Sequence, residues 1–298
     1  MTPHRRANGT AAPTTRGKHA RTWGASGTVL VRTLAQIGAI GYVARRLLAG
    51  PEDPTGRARI WPGKSTAFPV TVCYRIDKLR DTGCLHGRWL DLGCADGGYV
   101  SAMIEGGADA VVGVDPNADQ IAEARGRGLR AAEFVVAESE HLPFADAAFD
   151  GVLLNEVFEH VGDERATLGE VYRVLKPGGT LALMSPNRWY PLEGHGARIG
   201  HRTLNIPIPL LPYLPRRLGQ RMMLARNYWP GELVRMVEQA GLLVERTTFL
   251  LPTFQQFPVL RGVPLKAYLR AMPRIERTPG LRRFAGLSTF VQARRPPA

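Results

Sequence analysis

The sequence predicts an α/β fold built on a doubly wound, mostly parallel sheet of seven strands. From Trp89 onward, short apolar runs alternate with helical or loop segments, which is typical of parallel strands joined by right-handed crossovers. The first run breaks into a glycine-rich turn that opens a helix, and the second ends in an acid. Strands are predicted near residues 88–93, 110–115, 132–138, 149–155, 180–186, 242–250 and 287–294.

The glycine-rich turn after the first strand indicates a cofactor site. Gly93, Gly97 and Gly98 allow the backbone to approach a ligand closely, and the adjoining helix N-terminus is where nucleotide-like cofactors are usually held. The carboxylate of Asp91 precedes the turn, which contains no Lys or Arg. This pattern suits a cationic, phosphate-free ligand better than a pyrophosphate.

The second strand ends in Asp115, 22 residues after Gly93. In dinucleotide-binding folds an acid about 20 residues beyond the turn accepts hydrogen bonds from a ribose. The spacing alone does not separate a nicotinamide dinucleotide from S-adenosylmethionine, because both contain an adenosine ribose. The chain has no G-x-G-x-x-G in the turn, which argues against the dinucleotide.

From about residue 75 to 250, the chain resembles the class I S-adenosylmethionine-dependent methyltransferases, in particular the branch with the ubiquinone and menaquinone methyltransferases. Four motifs in order carry the resemblance: LDLGCADGG at 90–98, VD at 114–115, ESEHLPF at 138–144 followed by FD at 149–150, and RVLKPGG at 173–179. The resemblance implies a Rossmann-like methyltransferase fold, S-adenosylmethionine as cofactor, and a last strand that runs antiparallel to the others.

The resemblance also implies roles for individual residues. Asp91 and Gly93 would hold the amino-acid end of the cofactor, Asp115 both ribose hydroxyls, and Asn155 the methionine moiety. Glu138 would accept from the adenine amino group, and the Ser139 backbone N–H would face the ring. Position 95 is alanine where the family most often has glycine. The predicted cofactor-binding set is Asp91, Gly93, Cys94, Ala95, Gly97, Asp115, Pro116, Glu138, Ser139 and Asn155.

The segment 187–229 interrupts the repeating pattern after the fifth strand and is predicted to be the substrate lid. Its prolines are expected to forbid regular helix and to leave a stiff apolar cover over the cofactor crevice. Methyl transfer to an oxygen or carbon acceptor can require a general base. His195 is the first candidate, and it could equally bind substrate or be structural. The other candidates are Glu193, His160 and His201.

Composition predicts one enzyme domain with extensions. The 298 residues are 44% hydrophobic, enough for a full α/β core, and they contain no apolar run of the ~18 residues that a membrane span needs. Three cysteines without metal-ligand spacing favour a reduced, cytoplasmic setting and predict no metal. The predicted organisation is a disordered basic tail (1–27), an N-terminal helical extension (28–74) and the methyltransferase domain (75–298).

Positive charge is concentrated at the two ends of the chain. Residues 1–60 hold ten Lys and Arg against two acids, and residues 261–298 hold nine against one. A predicted helix at 28–49 is interpreted either as an interfacial anchor or as a helix packed on the domain. The basic apolar segment 254–284 suits an anionic membrane surface, and a solvated basic edge is the alternative.

The leading hypothesis is methylation of a small or lipid-linked acceptor, such as a quinone ring, a glycolipid head group or a secondary metabolite. One alternative is an RNA methyltransferase, although NEVF at 155–158 lacks the Asn/Asp-Pro-Pro-Tyr type of motif used on base amino groups. A second alternative is a non-catalytic cofactor-binding module. The acceptor atom and oligomeric state stay open, as does peripheral association with the inner face of the membrane.

Overall fold

The computed structural model describes residues 68–204, 207–253 and 263–297. The predicted tail at 1–27, the predicted helix at 28–49, and residues 254–262 of the basic apolar segment lie outside the described residues. The first described helix, Val70–Arg80, crosses the boundary predicted between residues 74 and 75. Its buried residues Cys73, Ile76 and Leu79 pack against one face of the central sheet.

The central sheet has seven strands, as predicted. They are Arg88–Leu92 (β1), Ala110–Asp115 (β2), Ala132–Val136 (β3), Phe149–Asn155 (β4), Leu175–Pro186 (β5), Leu243–Leu250 (β10) and Ser288–Arg294 (β11). The strand order is β10-β11-β5-β4-β1-β2-β3. Among the strands of the described residues, β11 alone runs antiparallel to the other six, which confirms the expectation for the last strand.

Helices cover both faces of the sheet because its central strands are apolar on both sides. The described helices are Val70–Arg80 (α1), Gly98–Gly106 (α2), Ala118–Gly126 (α3), Glu164–Val174 (α4), Arg216–Met222 (α5), Pro230–Gln239 (α6), Val263–Arg277 (α7) and Pro279–Ala285 (α8). One hydrophobic cluster joins α4 and α6 to the sheet, and a second joins α1, α2 and α3 to its other face. The sheet is therefore doubly wound.

The strand order places a crevice at the carboxyl ends of β1 and β4. From β1 the chain continues to β2 and β3 on one side of the sheet and then returns to β4 on the other side of β1, so the direction in which strands are added reverses between β1 and β4. Ligands of open α/β sheets bind at such a switch point. The residues that follow β1, β2 and β4 must therefore meet at one edge of the sheet.

The lid at 187–229 contains more regular structure than its prolines predicted. Two short antiparallel pairs form, Leu192–Glu193 (β6) with Ile208–Pro209 (β9), and Ala197–Ile199 (β7) with Arg202–Leu204 (β8). A 3-10 turn at Leu211–Tyr213 and helix α5 follow. The expectation of no regular helix was wrong for α5, because the proline run ends at Pro215, the residue before the helix, where proline is tolerated.

Candidate active site

The turn after β1 takes the conformation that its glycines allow. Gly93 and Gly97 have φ of +81° and +79°, in the left-handed region. A Cβ at Gly93 would overlap the Val157 side chain, and one at Gly97 would lie 3.0 Å from the Phe134 ring. Ala95 also has a positive φ, +45°. The alanine that departs from the family pattern therefore adopts glycine-like geometry, at an energetic cost.

Asp115 links the end of β2 to this turn. One carboxylate oxygen accepts from the Ala95 N–H at 3.0 Å, and the other accepts from the Asn117 N–H at 2.9 Å. Pro116 is exposed beside it. Under the turn, Cys94 is buried, and a Cβ at Gly113 would lie 2.8 Å from its Sγ. The acid expected to hold a ribose is thus anchored next to the glycine turn.

Asp91 is a buried carboxylate with an unsatisfied oxygen. The residue is 2% exposed, and among the described residues its Oδ2 has no hydrogen-bond partner. Burial raises the pKa of Asp91 to about 7, and the nearby charge of Asp115 also raises it. A buried, unpartnered oxygen at the switch point can accept a hydrogen bond from a ligand, and a cationic amino group would also stabilise the ionised carboxylate.

The loop after β3 is held in place by its acidic and hydroxyl side chains. Ser139 is buried, and its hydroxyl donates to Glu140 at 2.8 Å. Glu140 accepts from the N–H groups of Gly162 and Asp163 at 2.7 and 3.0 Å. Although burial opposes it, these hydrogen bonds lower the pKa of Glu140. Glu138 remains exposed beside this anchored loop, available to a ligand.

A buried ionic network joins α1 to the ends of β4 and β11, which the sequence reasoning missed. Arg75 donates to the Asn155 side chain and to Ser288 Oγ at 3.2 Å, and pairs with Glu156 at 2.9 Å. Glu156 has a φ of +55°, an uncommon conformation for a residue with a side chain. Arg75 lies on the apolar face of α1, four residues before buried Leu79. A cation on the apolar face of a helix is the feature of the sequence from which this network could have been predicted.

The predicted catalytic residues His195, Glu193 and His160 come together, and Glu159 joins them. His195 Nδ1 lies 3.1 Å from Glu193 Oε1, which also accepts from the His195 backbone N–H at 2.9 Å. The His160 and His195 rings are in edge contact, with centroids 5.2 Å apart. Glu159 Oε1 lies 4.0 Å from His195 Nε2. The remaining candidate, His201, lies at the exposed turn between β7 and β8.

Burial sets the protonation states in this cluster. Glu159 is 2% exposed, and its Oε1 has no hydrogen-bond partner among the described residues, while its Oε2 accepts from Ser185 Oγ at 3.2 Å. Burial and then the negative charge of Glu156 raise the pKa of Glu159, which favours the protonated form of this carboxyl group. Burial and the neighbouring His195 lower the pKa of His160.

The same cluster has the donor set of a cation site. One ligand atom from each of Glu159, His160 and His195 lies within 4.8 Å of the others. Two imidazoles and one carboxylate, with a fourth position open, are typical ligands of catalytic zinc. The prediction of no metal rested on cysteine spacing. Glu159 and His160 follow β4 and His195 lies in the lid, so only the fold brings these three side chains together.

Known proteins resemble this chain in sequence. Residues 90–183 match the family model described as a methyltransferase domain. The ubiquinone biosynthesis O-methyltransferase of Nitrobacter winogradskyi is 32% identical over 199 residues, which are 64% of this chain and 72% of that protein. The one from Bradyrhizobium sp. is 35% identical over 145 residues, 46% of this chain, and the match spans only 56% of that relative's own length.

A solved structure shares the fold. The S-adenosylmethionine-dependent methyltransferase from Mesorhizobium loti has a TM-score of 0.51 and 22% identity, and the match covers 74% of this chain and 98% of that one. The seven-stranded sheet, the glycine turn and the matched domain lead to one assignment. This chain belongs to the S-adenosylmethionine-dependent methyltransferase family, whose cofactor is S-adenosylmethionine.

Proposed function

We propose that this protein methylates a small lipophilic or lipid-linked acceptor, such as a quinone ring, a glycolipid head group or a secondary metabolite. The observation that carries the proposal is the position of the His195–Glu193 pair. Ser185 at the end of β5 bonds Glu159, which follows β4, and His195 lies 4.0 Å from Glu159. A base oriented by a carboxylate therefore covers the same sheet edge as the cofactor turn. The relatives named as ubiquinone biosynthesis O-methyltransferases support a lipophilic acceptor.

We assign the cofactor to the residues along this edge. The unsatisfied Asp91 carboxylate would receive the amino group of the methionine moiety, and the Asp115 carboxylate the ribose hydroxyls. Glu138 and the Ser139 N–H would contact the adenine, and Asn155, held by Arg75, would contact the methionine chain. The bound cofactor supplies a methyl group already activated on a sulfonium. The protein then contributes positioning and exclusion of water.

His195 is the proposed general base for a hydroxyl acceptor. Glu193 accepts from Nδ1, which fixes the tautomer and leaves Nε2 free to take the acceptor proton. Glu193 also stabilises the imidazolium that results. Glu193 is itself 1% exposed and accepts from the Asn227 side chain, so the orienting carboxylate is held on both sides. The raised pKa of Glu159 favours a neutral carboxyl group here, which would not compete with Nε2 for the acceptor proton.

A second route to the same methyl transfer is favoured by the unpartnered Glu159 oxygen. A divalent cation bound by Glu159, His160 and His195 would acidify an acceptor hydroxyl and make His195 a ligand instead of a base. Chelation separates the two routes. Undiminished turnover in EDTA supports the general base, and turnover that is lost in EDTA and restored by zinc or magnesium supports the cation.

The primary test is titration calorimetry with S-adenosylmethionine and S-adenosylhomocysteine, followed by methyl transfer to a panel of quinols, glycolipids and RNA. We expect cofactor binding that Asp115→Ala abolishes. We also expect transfer to a lipophilic acceptor that His195→Gln slows by about 10²-fold or more without loss of cofactor binding. Transfer to RNA alone would overturn the proposal. His201→Gln, at an exposed turn of the same lid, is the matched control and retains activity.

The place of action proposed with this function is the inner face of the membrane, in peripheral association. None of the helices formed by the described residues is long and apolar enough to cross a membrane.

A further inference from the structure

A short helix near the end of the chain presents apolar side chains to solvent. Helix α8 carries Leu281 and Phe284, which are 57% and 52% exposed. Arg282 and Arg283 lie between them in sequence. Two exposed apolar side chains three residues apart lie on the same side of a helix, an arrangement typical of an interaction surface, and the cations beside them restrict the kind of partner.

Aromatic contacts and hydrogen bonds join α8 to the start of the lid. The Phe284 and Trp189 ring centroids are 5.1 Å apart, and the Arg283 guanidinium lies 4.0 Å from the centroid of Trp189. The Asn187 side-chain amide donates to the backbone oxygens of Arg283 and Gly286, both at 2.8 Å. Helix α8 and the lid are therefore held together.

The same contacts continue into the middle of the lid. The Tyr213 hydroxyl donates to the Trp189 backbone oxygen at 2.6 Å, and Arg188 donates to the backbone oxygens of Pro212 and Leu214, both at 2.7 Å. Tyr213 is itself 39% exposed. We call the resulting surface the docking face and define it by Trp189, Tyr213, Leu281, Arg282, Arg283 and Phe284.

The elements that carry the docking face are strongly basic. Residues 207–229 contain four arginines and no acid, and residues 263–285 contain six Lys and Arg and one acid, Glu276. The Glu276 carboxylate accepts hydrogen bonds from the Tyr74 hydroxyl and, at 2.8 Å, from Lys78 Nζ. Glu232, in the first turn of α6, forms an ion pair with Arg216 of the lid. The charge of this region therefore complements an anionic surface.

We propose that the docking face binds the surface of an anionic phospholipid bilayer, an inference that rests on the proposed lipophilic acceptor and names the surface that reaches it. Leu281 and Phe284 enter the interface, and Arg283, whose side chain is exposed, contacts lipid phosphates. Exposed leucine favours a bilayer over RNA, because base stacking uses aromatic and guanidinium planes and gains little from an aliphatic side chain.

The position of the docking face explains why it would matter for the reaction. Asn187, which holds α8, directly follows β5, whose end carries Ser185 beside Glu159. Trp189 of the docking face contacts Trp229, the residue before α6, with centroids 4.8 Å apart. A bilayer bound at this face lies beside the lid, so a lipophilic acceptor passes from the membrane to His195 with little exposure to water.

The test is flotation of the full-length protein with vesicles of phosphatidylcholine alone or mixed with phosphatidylglycerol. We expect flotation only with phosphatidylglycerol, and loss of flotation at high salt. Leu281→Ser with Phe284→Ser abolishes flotation. The matched control, Leu243→Ser, changes a 56%-exposed leucine on the edge strand β10 and floats like the parent protein.

A second pair of variants tests the charge. Arg283→Gln weakens partitioning about fivefold, as expected for one cation at an anionic surface, whereas Arg246→Gln, on exposed β10, does not. Equal flotation of the docking-face and control variants would overturn the inference, as would equal flotation on both vesicle types or binding to RNA with no vesicle binding. Cofactor binding is measured on every variant to verify folding. Flotation that persists in a protein without methyl transfer would refute the proposed function and leave the docking face intact.

Discussion

Replacing Asp91 by asparagine should raise the free energy of unfolding of the cofactor-free protein and lower its affinity for the cofactor. The carboxyl group is buried and has an unpartnered oxygen, and burial and then Asp115 raise its pKa from 3.8 to about 7. Because the folded-state pKa is raised, the folded protein holds a proton that the unfolded chain has released between about pH 4 and 7. The free energy of unfolding therefore falls as pH rises through this window and is lowest above pH 7.

The size of this effect follows from the shift. About three pKa units at 1.36 kcal/mol each amount to roughly 4 kcal/mol. Asp91→Asn cannot ionise, so we expect it to unfold with a free energy up to about 4 kcal/mol higher at pH 8 and nearly equal at pH 4. Urea unfolding of the cofactor-free protein at both pH values measures the difference. Asp119→Asn, at an exposed aspartate of α3, is the control and should change stability by less than about 1 kcal/mol at either pH.

Cofactor binding should respond in the opposite sense. The amino group of the cofactor favours ionised Asp91, so the affinity of the parent protein should fall about tenfold from pH 8 to pH 6, one unit below the pKa. In Asp91→Asn the affinity should be low and should not change over this range. The reasoning is refuted if the variant is less stable than the parent at pH 8, or if it keeps the pH dependence measured by calorimetry.

Three further predictions concern other parts of the site. Ala95→Gly should raise the free energy of unfolding by about 1 kcal/mol in urea, because position 95 has a positive φ, and a decrease would contradict the strain. His195→Gln should lower kcat roughly 10²- to 10⁴-fold with cofactor affinity unchanged. Glu193→Gln should lower kcat less and move the pH–rate profile to lower pH, because the carboxylate that stabilises the imidazolium is lost; a pH–rate profile unaltered in both variants would exclude the base. Glu156→Gln leaves buried Arg75 without its ion pair and should cost roughly 3 kcal/mol in thermal or urea unfolding, whereas an unchanged midpoint would show that the network is not stabilising.

The strands and the cofactor turn could be read from local patterns. The predicted strand at 110–115 matches Ala110–Asp115, and the one at 149–155 matches Phe149–Asn155, because both are short apolar runs in a sheet covered on its two faces. The shape of the turn could also be predicted, because the ability of glycine to adopt a positive φ is a property of the individual residue. The start of β5 was predicted less well: the strand begins at Leu175 and not at 180. Leu175 already pairs with Phe149 of β4, and an irregularity in the register separates this pair from the regular pairing that begins at Thr180.

The sequence by itself determined the order of strands and helices and the acids at the strand ends, because hydrophobic periodicity and glycine conformation act over a few residues. Only the tertiary structure brought Arg75 to Ser288, 213 positions along the chain, and His195 to Glu159. It also made the carboxyl oxygens of Asp91 and Glu159 buried and unsatisfied. Burial, and the pKa changes that follow from it, depend on which distant segments exclude water from a group, and that is decided when the chain packs.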